Sequence, residues 1–170
     1  GWTGEHLRGS TLGTAPATTA QADSGAFVDI MIVYSDQAAT SAGGGIGAQV
    51  QYAVDRANLA YANSGIATRL RLVYSGPAGY SESGDFNTDL NRLTNVGDGY
   101  MNNVDTLRNT YAADVVSLFI ENAAYCGLGY VYSDASTAFT VVNRGCSGGN
   151  LSLAHEVGHN FGALHDPYVD

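Results

Sequence analysis

Residues 155–165 read HEVGHNFGALH, and three of the chain's four histidines, His155, His159 and His165, fall inside them. His155 and His159 are four apart, so an α-helix of about 3.6 residues per turn stacks them on one face. Two imidazoles placed that way can share one ion, because the helix holds both rings rigid. Glu156 adjoins His155 but is rotated round the helix, a placement suited to acting on a water at the ion rather than on the ion. A continuing helix would carry His165 away from the other two rings. The chain must therefore turn, and Gly162 is the residue that accepts the positive φ such a turn needs. Three neutral ligands leave one position open for water. That is the pattern of catalytic zinc, whereas structural zinc is closed by four protein ligands.

Working outward, NLSLAHEVGHNFG (150–162) reads as a helix ended by Gly162. Before it, AFVDIMIVYS (26–35) and DVVSLFIE (114–121) are almost continuous apolar runs, as in strands buried on both faces. ATRLRLVYS (67–75) alternates and reads as a strand with one wetter face. GLGYVYS (127–133) and AFTVVNR (138–144) are two shorter strands. IGAQVQYAVDRANLAYANSG (46–65) sets Ile46, Val50, Ala53, Val54, Ala57, Ala60 and Tyr61 on one helical face, with Gly65 as its C-terminal cap. MNNVDTLRNTYAA (101–113) is helical through Met101, Val104, Leu107 and Tyr111. Residues 76–99 form a polar loop with a short helical turn near Phe86–Leu93. The resulting order, β-α-β-α-β-β-β-α, predicts a single α/β domain over 26–170 with a mostly parallel sheet and helices packed on it. Residues 1–25 show no apolar period and read as an arm, a linker or a propeptide remnant. They hold no Cys, so they cannot block a metal through a thiolate.

At 170 residues the chain is long enough to bury a real core. Its net charge is −9, and Arg supplies every basic side chain. That surface repels nucleic acid and anionic lipid, so neither is an expected partner. No apolar run approaches the roughly 20 residues needed to span a bilayer. An acidic chain rich in Gly, Ser, Asn and Tyr matches extracellular microbial proteins. The two cysteines, Cys126 and Cys146, are either a disulfide or two buried thiols. Both abut glycines at the end of a strand-like run, which favours the disulfide.

The pattern H-E-x-x-H-x-x-G-x-x-H is met by residues 155–165 at all five fixed positions. The segment resembles the metzincin zinc motif. Asn160 after the second His and Asp166 after the third make it similar to the adamalysin, or reprolysin, branch. Bacterial relatives of that branch include secreted peptidyl-Asp metalloendopeptidases. The resemblance covers about 26–170 and rests on the helix motif and, more loosely, on strand order. It implies a secreted or cell-surface zinc endopeptidase acting on protein or peptide substrates. It also implies an upper subdomain built on a twisted five-stranded sheet with one antiparallel edge strand.

Site roles follow from that resemblance. His155, His159 and His165 correspond to the zinc ligands. Glu156 corresponds to the general base, which takes a proton from the attacking water and passes it to the leaving amine. Gly162 and Asp166 correspond to supporting structural residues, though an exposed acid after a turn is an equally plain reading of Asp166. Family substrates add to the sheet edge above the zinc helix, here Leu128, Gly129 and Tyr130 in GLGYV (127–131). A plain core hairpin is the other reading of that run. Some relatives also bind calcium far from the zinc, and Asp29 and Asp114 stand at matching strand starts. The plainer reading is that both acids cap strands or bond to backbone.

The chain departs from the metzincin pattern in one respect. Its only methionines, Met31 and Met101, precede the histidines, so it holds no Met-containing turn after the third His. The expectation is a piece that lacks the lower subdomain and works with its own C-terminal segment as partner. Two other readings of the motif stand beside the endopeptidase: a noncatalytic zinc-stabilised binding module, and a different zinc hydrolase such as an amidase or deacetylase. Glu156 separates the first of these, because binding alone needs no acid there.

Overall fold

The computed structural model describes residues 6–8 and 27–166. The apolar runs form the strands expected of them: β2 (Phe27–Tyr34), β3 (Arg69–Pro77), β4 (Val115–Ile120), β5 (Gly127–Val131) and β6 (Phe139–Asn143). All of β4, β5 and β6 is buried, which requires layers on both faces. A sixth strand, β1 (His6–Arg8), completes the sheet in the order β1-β5-β6-β4-β2-β3. Strands β2, β3, β4 and β6 run parallel, and β5 is antiparallel to β6. From Phe27 onward this is the expected five-stranded, mostly parallel sheet.

Strand β1 falls within residues 1–25, the segment that reads as an arm, a linker or a propeptide remnant. His6, Leu7 and Arg8 pair in parallel with Gly129, Tyr130 and Val131. Three residues joined through main-chain groups leave no apolar period to read. The remainder of that reading, residues 1–5 and 9–25, lies outside the described residues, as does the chain after Asp166.

Helices α1 (Asp36–Ser41), α2 (Ile46–Asn63), α3 (Phe86–Thr94), α4 (Asn103–Thr110) and α5 (Ser152–Asn160) cover the sheet. On one face Val50, Ala53, Val54 and Ala57 of α2 join Leu153 and Val157 of α5 over Phe119 and Val142. On the other, Phe86, Leu90 and Leu93 of α3 and Val104 of α4 pack on Leu118, Leu128, Tyr130 and Val141. Helix α2 stops as its sequence predicts. Gly65 takes φ +73°, its N–H reaches Ala62 O at 3.1 Å, and the Ile66 N–H reaches Tyr61 O at 2.9 Å. Helix α3 falls where a helical turn was expected, and helix α1 is an addition. The turn near Phe86 is a nine-residue helix, started by the Asp85 carboxylate accepting from Thr88 N at 2.8 Å. Helix α1 starts where Ser35 Oγ accepts from Ala38 N at 3.0 Å.

Among the described residues no helix is long and apolar enough to cross a membrane.

Candidate metal centre

Helix α5 is held on three sides. Leu153 and Val157 are fully buried, and each such side chain contributes about 1.5–3 kcal/mol relative to exposure. Tyr61 on α2 donates its hydroxyl to Ala154 O at 3.0 Å. The chain leaving β5 meets the helix C-terminus, where Tyr132 N donates to His159 O at 3.1 Å and Ser133 N to Asn160 O at 2.9 Å. Asn160 Nδ2 donates back to Tyr130 O at 2.8 Å. Carbonyls that a helix end leaves unpaired are thus satisfied by the strand beside it.

The turn then does what Gly162 foretold. Gly162 has φ +91°, its N–H bonds His159 O at 2.8 Å, and the Ala163 N–H bonds Gly158 O at 3.0 Å. This paired closure reverses the chain and returns His165 to the helix face. His155 Nε2 lies 2.9 Å from His159 Nε2 and 3.0 Å from His165 Nε2. Among the described residues this is the one cluster of three or more His, Cys, Asp or Glu side chains whose ligand atoms converge.

The tautomer of His159 follows from its neighbour. Its Nδ1 is 2.7 Å from Ala163 O, and a carbonyl can only accept. Nδ1 therefore carries the proton, and the Nε2 lone pair faces the cluster. Burial, the main cause, holds the His159 pKa below its ordinary value, which favours the neutral ligand form. Three ring nitrogens aimed at one point ask for a cation at the centre. An all-imidazole donor set suits zinc among the common ions.

Glu156 is 2% exposed. Burial pushes its carboxyl up to about 8, and Oε2 is buried with no hydrogen-bond partner. A carboxyl in that state exchanges protons near neutral pH, and a divalent cation nearby would favour its ionised form.

The other sequence candidates separate clearly. Asp166 is exposed next to His165. Leu128 and Tyr130 turn their side chains into the core shared with α3, leaving only main-chain groups of β5 for a peptide. The outer edge of β5 is itself paired with β1. Gly129 faces Glu156 rather than open space. The two calcium candidates, Asp29 and Asp114, are both engaged by protein groups. Both Asp29 oxygens accept from Arg71, at 2.6 and 2.7 Å, while Asp114 Oδ2 accepts from Asp29 N at 2.8 Å. Asp114 bonds to backbone, as its plainer reading held, whereas Asp29 pairs with a side chain across the β2–β3 ladder. Cys126 and Cys146 form the disulfide, linking the start of β5 to the turn before α5. Closing a loop of that length contributes about 3 kcal/mol in the chain-entropy model. Residues that went unnoticed are Ala163, whose carbonyl orients His159, and Tyr132, whose N–H caps α5 and whose ring lies against Gly162. Nothing in their residue types marks these roles, since two of the three contacts are main-chain.

The family model Reprolysin_5, metallo-peptidase family M12, matches residues 25–170. The chain belongs to this family. It is 46% identical over 154 residues to the peptidyl-Asp metalloendopeptidase of Stenotrophomonas maltophilia, covering 89% of this chain and 37% of that protein. Against the enzyme of the same name from Xanthomonas campestris it is 43% identical over 156 residues, covering 90% and 37%. The Pseudomonas aeruginosa protein of that name is 33% identical over 177 residues, covering 92% and 28%. The chain thus spans between 28% and 37% of the length of these relatives. Its fold matches a chain solved in a chaperone–substrate complex, with TM-score 0.69, 21% identity, and 85% and 27% coverage. It also matches metalloproteinase-II of Bacteroides fragilis, with TM-score 0.52, 12% identity, and 84% and 44% coverage.

Proposed function

We propose that this chain carries the metal-holding and proton-handling part of a zinc-dependent endopeptidase. Its substrates are extended segments of proteins or peptides. The observation that carries the reading is the convergence of three imidazole nitrogens beside a buried carboxyl, all borne by one helix and its terminal turn. His155, His159 and His165 hold the ion. A zinc ion so held lowers the pKa of water to about 7 and polarises a carbonyl. The Glu156 carboxylate takes the proton of the attacking water and delivers it to the leaving amine nitrogen. Its burial keeps bulk water from competing for that proton.

The substrate pairs with the outer edge of β5, the position that β1 occupies. Main-chain pairing sets the register for many sequences alike, and a bound peptide displaces β1. The disulfide suits an oxidising compartment, which supports secretion. Phe161 and Leu164, 58% and 62% exposed beside the cluster, support a covering segment downstream, in keeping with the greater length of the relatives.

The test is hydrolysis of an unstructured protein by the full-length enzyme before and after metal removal. Stripping the metal should abolish cleavage, and one equivalent of zinc should restore it. Cleavage that continues in the stripped protein would end the metallopeptidase reading.

A further inference from the structure

Strand β5 contains two glycines, Gly127 and Gly129, in a fully buried run. Strand interiors disfavour glycine, which has no side chain to pack and loses more chain entropy than other residues. Backbone conformation does not require either one, because neither has a positive φ. Space does. A Cβ at Gly127 would lie 2.5 Å from Glu156 Cγ and 2.7 Å from Cδ, with Oε1 closer still. A Cβ at Gly129 would lie 3.2 Å from Glu156 O, 3.3 Å from Glu156 Oε2 and 3.3 Å from Thr140 Cγ2.

We propose that Gly127 and Gly129 are positioning residues, forming a notch in β5 that seats the Glu156 carboxyl beneath the strand. The inference rests on Glu156 as the proton carrier, but the notch can be tested apart from that role. Alternation sends Leu128 and Tyr130 to the opposite face, so the glycines face the zinc-motif helix. The two act differently. At Gly127 the nearest groups belong to the Glu156 side chain. Because Cγ is bonded directly to Cβ, a methyl group there cannot be avoided by swinging the carboxylate tip; the side chain must rotate about Cα–Cβ. At Gly129 the nearest atom is a helix carbonyl, so a side chain would push α5 itself from the strand. The helix cannot yield freely, since Tyr132 N, Ser133 N and Asn160 Nδ2 lock it to this strand a few residues further on. The notch thus fixes where the carboxyl sits relative to the edge on which a substrate lies.

A double-mutant cycle reads this out. Gly127→Ala should lower Tm by roughly 4–8 °C in the parent, the scale of overpacking in a domain this size. It should lower Tm by less than about 1 °C in a Glu156→Ala background, where the methyl group has room. Gly129→Ala should cost stability in both backgrounds, because the carbonyl it meets remains. Zinc should stay at one per chain throughout. In the full-length enzyme Gly127→Ala should lower kcat about tenfold or more with KM within about twofold. Equal loss of Tm in both backgrounds, or none in either, would overturn the notch. Coupling in Tm with unchanged kcat would support the notch and remove Glu156 from the reaction instead.

Discussion

Glu156→Gln in the full-length enzyme should leave the metal bound and lower kcat by about 10²–10⁴, the usual contribution of a positioned proton carrier. The substitution keeps the shape that fills the notch and removes only the ability to accept a proton. KM should change little, because the carboxyl is buried beneath β5 and the substrate is held by strand pairing. Activity within tenfold of the parent would show that Glu156 does not move the proton. The same change should act in the opposite direction on the metal-free fold. Burial raises the folded carboxyl to about 8 from its ordinary 4.5, so folded protein binds this proton more tightly than unfolded protein. Stability tied to the protonated form is full below pH 4.5 and is lost as pH rises through 8. Metal-free Glu156→Gln should therefore match the parent near pH 4 and melt above it by a margin that grows up to about pH 8. A constant margin across that range would mean that folding leaves the carboxyl's proton affinity unchanged.

His159→Ala should abolish stoichiometric zinc binding, weakening affinity by more than the 10–100-fold typical of an outer-shell partner. The effect should exceed that of an exposed ligand. His159 is 2% exposed, it sits one turn from His155, and its Nδ1–H bond to Ala163 O ties down the turn that delivers His165. Its loss removes one ligand and loosens another. Because burial lowers its pKa, the parent should keep zinc to lower pH than an exposed histidine would allow. Metal content after dialysis checks the main claim, and a fully loaded His159→Ala protein would sink it.

The metal helix was legible because its logic is local. A four-residue spacing and a glycine turn are written in consecutive residues, and both appear where 155–165 placed them. The strands were legible because β2 and β4 are almost continuous apolar runs. What escaped notice depends on partners far away in sequence. Strand β1 is visible only through its pairing with β5. Helix α1 buries only Ala38, too little for an apolar period. Helix α3, by contrast, was legible from Phe86, Leu90 and Leu93, which mark it to within one residue of its end at Thr94. Asp29 reads as a calcium candidate or a strand cap, and only the β2–β3 register sets it opposite Arg71. Gly129 reads as part of the substrate edge, and the packing of α5 shows that Glu156 lies against it.

Zinc-edge X-ray absorption on the protein loaded with one equivalent of zinc tests the central claim most directly. The account predicts three imidazole nitrogens at about 2.0–2.1 Å and one solvent oxygen, with no sulfur in the first shell. A fourth protein ligand would close the position a substrate carbonyl needs, and fewer than three imidazoles would mean that His155, His159 and His165 do not share one ion; either result would contradict it.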